Sequence, residues 1–211
     1  MALLLHAISR IELTTTQHEQ LRELGLSCYS HPPLNGLATS CTVVDVEAAS
    51  RDHLMAYSDL IEAARAVADI IPMRYGAIFD NAHQLKQTLE RNQNHFAQQL
   101  QEISGCVEMS IRVPINPSVT QVSEPVSGRE YLKAKQQQAN SWQVALQVIT
   151  ESVTGCYVKR KAHYVSSTSL LYVYFLVRNA QLDHFGTSIR SLQLPQLSLS
   201  GPWAAYNFVN E

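Results

Sequence analysis

The sequence predicts an α+β protein of two domains, a mixed α+β N-terminal domain and a C-terminal domain in the ferredoxin-like order βαββαβ. Three observations lead there. Short apolar runs alternate with longer stretches whose apolar residues recur every three or four positions, as strands interleaved with helices do. The run Ile71-Pro72-Met73-Arg74-Tyr75-Gly76-Ala77-Ile78-Phe79 sits between two such helical stretches and closes a first domain over residues 1–80. From Gly105 onward the pattern reads strand, helix, two strands, helix, strand. A connecting helix is expected over 81–104, the ferredoxin-like domain over 105–200, and an aromatic tail over 201–211.

In the first domain, residues 2–9 form an apolar strand, and Thr14, Thr15 and Thr16 open a short helix that Gly25 ends. His31 to Gly36 read as an irregular loop, and Leu37 to Val46 as a strand whose apolar part is Cys41, Val43 and Val44. Ser50 caps the next helix, marked by Leu54, Tyr57, Ile61, Ala64 and Ala68. Pro72 lacks an N–H and suits the start of the strand over 71–79, where Gly76 suggests a bulge or a close backbone approach. Arg74 is a fixed charge among apolar neighbours. It either snorkels or pairs with a carboxylate, or it anchors a partner's carboxylate or carbonyls.

From 82 to 103 the marks Leu85, Leu89, Phe96, Leu100 and Ile103 repeat at a spacing near 3.5, as in a helix packed within the protein. Gly105 to Val113 is a strand with Val107, Met109, Ile111 and Val113 on one face. Ser127 and Glu130 form a capping box for a helix running to Val153. Strands follow at Tyr157 to Val165 and Leu170 to Val177, then a helix from Asn179 to Ser191 and a strand from Gln196 to Ser200. In a ferredoxin-like sheet the first and third strands are central, and Leu170 to Val177 is apolar enough for both its faces to be covered.

Composition narrows the function. The 211 residues suffice to bury roughly 70% of the unfolded surface, and the 16% charged content is low, as on a protein that sits against something. A net charge of −2 offers no footprint for nucleic acid or anionic lipid. Cys28, Cys41, Cys106 and Cys156 contain no C-x-x-C, so neither a zinc knuckle nor a thioredoxin-type site is indicated, and free thiols in a reducing cytoplasm are expected. The apolar start at Met1 to Leu5 is too short for a signal peptide, and the longest apolar run, Leu170 to Val177, cannot span a bilayer as a helix. Nucleotide-binding, zinc-protease and serine-hydrolase motifs are absent, and pairs such as His163–Tyr164 or Asp183–His184 are expected by chance among eight histidines. No catalytic residue, cofactor or metal site is predicted.

The tail is different. Trp203, Tyr206 and Phe208 place three aromatics in six residues, which must bury themselves on this protein or on a partner. Here the chain resembles the gas vesicle accessory proteins of the F/L family (GvpF/GvpL). The resemblance rests on four segments in order: Ile71 to Phe79; Gly105 to Val113 with Glu108; Ser127-Gly128-Arg129-Glu130-Tyr131-Leu132; and Leu199-Ser200-Gly201-Pro202-Trp203 with Tyr206, Phe208 and Val209. It departs from the family where a second proline usually follows the tryptophan, since Ala204 and Ala205 stand there, and Tyr57 lies near the place of a common histidine.

The resemblance implies a two-domain assembly factor, a minor gas vesicle component without catalytic residues. It would be cytoplasmic, gas vesicle associated and monomeric, binding the small apolar shell protein (GvpA type) and other accessory proteins. A shell subunit exposes apolar surface before it polymerises, and a low-charge aromatic surface would limit its aggregation. Arg74, Tyr75, Trp203, Tyr206 and Phe208 are the expected partner-binding residues. The alternative is an RNA-binding or general protein-interaction module on the ferredoxin-like sheet. Tyr172 and Tyr174 share a face of its third strand, but Gly105 to Val113 has no aromatic.

Overall fold

The computed structural model describes residues 1–115, 141–194 and 196–209. The chain divides into two compact units, one of Met1–Gly105 with Trp203–Glu211 and one of Cys106–Pro202.

The first unit is built on β1 (Ala2–Arg10), whose residues are buried from Leu3 to Ser9. Burial on both faces explains an apolar run with no alternation. Strand β2 (Ser27–His31) forms a hairpin with β3 (Leu34–Cys41), which pairs antiparallel with β1. On its other side β1 pairs with β4 (Ile70–Pro72) and β5 (Ile78–Phe79). Helices α1 (Thr15–Glu23) and α3 (Arg51–Val67) cover one face of this sheet, with Leu21, Tyr57, Ile61 and Ala64 packed on Leu4, Ala7 and Leu37. Helices α4 (Ala82–Arg91) and α5 (Gln93–Ile103) pack on its strands with Leu85, Leu89, Phe96, Leu100 and Ile103 buried. A Cβ at Gly36 would lie 3.2 Å from the Leu85 side chain, so α4 seats closely over β3.

Four local expectations change here. Of the loop expected at 31–36 only 32–33 is a turn, since His31 ends β2 and Leu34 to Gly36 belong to β3. Cys41 ends β3, and Thr42 then caps a short helix, α2 (Val43–Glu47), by accepting from the Asp45 N–H at 3.2 Å. Local capping therefore overrides the strand preference of Val43 and Val44, and both are exposed. The strand expected over 71–79 is two short strands, because 73–77 loops out opposite a bulge in β1 between Leu5 and Ala7. Met73 N–H donates to the His6 carbonyl and Leu5 N–H to that of Ala77, both at 2.8 Å, and Gly76 in the loop has φ +96. The single helix expected over 81–104 is α4 and α5. They are broken at Asn92, whose amide donates to the Thr88 carbonyl at 2.9 Å, and both helices belong to the first unit.

The second unit holds β6 (Cys106–Pro114), the helix α6 over residues 141–152, β7 (Tyr157–Val165), β8 (Leu170–Arg178), α7 (Leu182–Arg190) and β9 (Ser198–Trp203). Its strands stand in the order β7-β8-β6-β9, so the first and third are central. Val107, Met109, Ile111 and Val113 of β6 and Leu171, Val173, Phe175 and Val177 of β8 form one core with Ile149, Val153, Phe185 and Ile189. Both helices therefore lie on one face of the sheet. β9 extends to Trp203 rather than ending at Ser200, with Gly201 at φ +117, where a Cβ would fall 2.8 Å from the Glu108 carbonyl. Only glycine fits that approach. Ser127, Glu130 and the family-like segment 127–132 lie outside the described residues.

Candidate functional site

The candidate site forms in the first unit, where β1, α3, the loop over 73–77 and the tail meet. Its centre is Tyr57 on α3, 8% exposed. The phenol oxygen lies 3.2 Å from the Leu5 carbonyl and 3.0 Å from that of Met73, sharing one proton between them. It thus ties the helix to the β1 bulge and to the loop opposite it. The ring stacks on His6 at 4.7 Å and meets the edge of Tyr75 at 5.0 Å and 84°. Burial, and then Tyr206 and Tyr75, push the Tyr57 hydroxyl far up from its usual range, so it stays a donor at any ordinary pH.

His6 is 4% exposed, and its Nε2 lies 2.8 Å from Thr39 Oγ1. Nδ1 is buried with no hydrogen-bond partner. The neutral ring with its proton on Nε2 is the less costly tautomer, because it leaves an unpaired lone pair rather than an unpaired N–H. Burial lowers its pKa from 6.5 to about 4, so the site holds the uncharged ring near neutrality.

The tail closes the site. Glu62, five residues along α3 from Tyr57, accepts from Arg65 Nε at 2.7 Å with one carboxylate oxygen. With the other it accepts from the Ala204 backbone N–H at 2.8 Å. Ala204, Ala205, Phe208 and Val209 are buried. Tyr206 and Phe208 N–H groups turn back onto the carbonyls of Ala204 and Ala205, which folds the tail into compact turns. A proline at 204 would have no N–H to donate, so it is the alanine there that permits the Glu62 contact.

The five expected partner-binding residues thus separate. Tyr75 and Tyr206 come together around Tyr57, both half-buried, and Phe208 is buried with the tail. Trp203 is 43% exposed, and Arg74 is exposed with no ion pair among the described residues. His6, Tyr57 and Glu62 organise the site but were not among the expected residues. The signals for them are a polar residue inside an apolar strand and a tyrosine on a helix's buried face.

His184 is drawn to Cys156, with Sγ 2.9 Å from Nδ1, rather than to Asp183. Among the described residues no group of three or more His, Cys, Asp or Glu side chains is placed to hold a metal ion, and no helix is long and apolar enough to cross a membrane.

Comparison with known proteins places this architecture. The chain is similar to gas vesicle protein L of Streptomyces sp. (strain CB03234), at 24% identity over 182 residues, covering 74% of this chain and 68% of the relative. The crystal structure of the gas vesicle protein GvpF from Anabaena sp. PCC7120 has the same fold, with a TM-score of 0.82 at 14% identity over 100% of this chain and 96% of that one. GvpF from Microcystis aeruginosa matches with a TM-score of 0.75 at 13% identity, covering 98% of each chain. Both share the mixed α+β architecture with its two antiparallel sheets. Residues 5–210 fit the model of the gas vesicle synthesis proteins GvpL/GvpF, and the chain belongs to that family.

Proposed function

We propose that this chain is a non-catalytic gas vesicle assembly factor in the cytoplasm that binds the small apolar shell protein, limits its aggregation and helps nucleate or build the vesicle. The observation that carries the reading is the split within the tail. Ala204, Ala205, Phe208 and Val209 are buried as a stem with Tyr206 and Asn207 half-buried, while Trp203 stands 43% exposed at its base. An exposed tryptophan on an ordered stem loses little conformational entropy on binding, which is how interface hot spots work. Arg74 adds an exposed guanidinium able to take partner carbonyls or a carboxylate. Tyr75, Tyr206 and Phe208 support the contact from beneath rather than making it.

We also read the second unit as ferredoxin-like. Its strand order and its two helices on one face support this.

The test is a binding assay with the GvpA-type shell protein of the same gene cluster, comparing the parent chain with Trp203→Ala and Arg74→Ala. A truncation at Ser200 is unsuitable, since it removes the end of β9 and the buried stem. Trp203→Ala is expected to weaken binding about tenfold or more with the far-ultraviolet spectrum unchanged. Unchanged binding by both variants would remove this surface from the contact.

A further inference from the structure

Cys156 sits where the turn after α6 enters β7, and its N–H closes that turn on the Val153 carbonyl at 3.0 Å. Its sulfur lies 2.9 Å from Nδ1 of His184, in the first turn of α7. The thiol has a proton to give, and the imidazole with its proton on Nε2 presents a lone pair at Nδ1. Two elements separated in sequence thus bring a nucleophile within reach of a base, the arrangement that activates a sulfur for attack.

Packing alone does not account for the pair. A buried cysteine ordinarily serves as a small apolar side chain, and Cys156 does join the core of the second unit at 3% exposure. That role calls for no imidazole and no opening beside the residue. Here Cys156 lines a cavity of about 260 Å³ together with Tyr157, Val158, Arg178 and Gln181. Arg178 is exposed with no ion pair among the described residues, and His184 is exposed as well. Two other cysteines stand in contrast. Burial pushes the Cys28 thiol up, and burial and then Asp45 push Cys41 up. Both therefore hold their protons near neutrality, although both are more open than Cys156.

We infer that Cys156 is a modification site, at which a small carboxylate-bearing disulfide transfers one of its halves to the sulfur. The Cys156 sulfur attacks one sulfur of the incoming disulfide while His184 Nδ1 takes the thiol proton. A new S–S bond forms as the old one breaks, and the leaving sulfur takes the proton from His184. Cys156 is thereby oxidised to a mixed disulfide, and the departing half is reduced to a thiol. Excess thiol reverses the exchange, so the site follows the disulfide-to-thiol balance around it. The cavity selects the ligand. It is several times the roughly 30 Å³ that a water takes up in the liquid, so a peroxide would leave most of it empty. The Arg178 guanidinium on its wall suits a carboxylate. The inference is independent of the shell-protein contact proposed at Trp203.

The experiment incubates the full chain with oxidised glutathione and follows the mixed disulfide at each cysteine by peptide mass spectrometry. Access alone ranks Cys156 below the half-buried Cys28 and Cys41. The pairing with His184 reverses that order, and Cys156 is expected to react at least about fivefold faster than either. His184→Gln should slow Cys156 about tenfold or more and leave Cys28 and Cys41 unchanged as internal references. Arg178→Gln should slow it about two- to fivefold with oxidised glutathione, and not at all with the uncharged bis(hydroxyethyl) disulfide. If His184→Gln does not fold, which altered rates at Cys28 and Cys41 would report, the order in the parent chain and Arg178→Gln decide. Slower reaction at Cys156 than at Cys28 and Cys41, an unchanged rate in folded His184→Gln, or an equal effect of Arg178→Gln on both disulfides would each overturn the proposal.

Discussion

Tyrosines occupy two contrasting settings in this chain. Around Tyr57 in the first unit they are packed ring against ring with a neutral histidine, and the central hydroxyl is given to backbone carbonyls. On β8 of the second unit, Tyr172 and Tyr174 lie half-buried on a sheet face beside lysines and an arginine. The residue type is the same and the roles differ. Where neighbours are apolar and the hydroxyl is satisfied by the chain itself, tyrosine holds elements together. Where neighbours are cationic and the ring is half-buried, tyrosine lies on a sheet face instead. Neighbours, rather than aromatic content, separate a latch from a surface.

The sharpest way to break the comparison is to truncate one tyrosine of each kind. Tyr57→Ala removes a buried ring and leaves the Leu5 and Met73 carbonyls without their donor, so a loss of about 3–5 kcal/mol is expected in urea unfolding. Tyr172→Ala, at a half-buried position, should cost less than about 1.5 kcal/mol. Similar losses for the two would erase the distinction.

The acid response of the first unit sharpens it next. The His6 pKa is lowered to about 4 in the folded chain, against 6.5 when unfolded, so the unfolded state takes up the proton first as pH falls. The stability due to the neutral ring is complete above 6.5, is lost between there and about 4, and changes no further below that. The loss approaches about 3 kcal/mol. Measured from pH 7 to 4.5, unfolding free energy should fall more steeply in the parent chain than in His6→Gln. Parallel slopes would mean that His6 is not held neutral by burial.

Much of this architecture was legible in the sequence, for identifiable reasons. Tyr57, Ile61 and Ala64 lie on one helical stripe and are buried, and the alternation from Val107 to Val113 is the inner face of β6. These are local periodicities with a single packing partner. What escaped was set by weak local signals or by distant contacts. β2, with Ser27 to His31 on a half-exposed edge, has no apolar pattern to read. The division of 70–79 into two strands depends on the bulge at His6, and Gly76 signalled an irregularity in the segment but not the loop that separates the strands. At the candidate site the aromatics announced burial, but not that Tyr75 and Tyr206 would share Tyr57, nor that Trp203 would stay outside.

The Glu62–Ala204 contact is the extreme case, joining residues 142 apart, and it carries the smallest of these effects. A charge-assisted bond from a backbone amide that is 1% exposed leaves an unpaired N–H when removed. Glu62→Ala is therefore expected to cost about 1–2 kcal/mol and to speed hydrogen exchange at the Ala204 amide. Glu62→Gln keeps an oxygen acceptor, so less than about 1 kcal/mol should be lost. Ala204→Pro removes the donor from the other side and should match Glu62→Ala in stability. If exchange at Ala204 is unchanged in Glu62→Ala, the buried residues of the stem hold the tail by packing alone, and the carboxylate is no part of the latch.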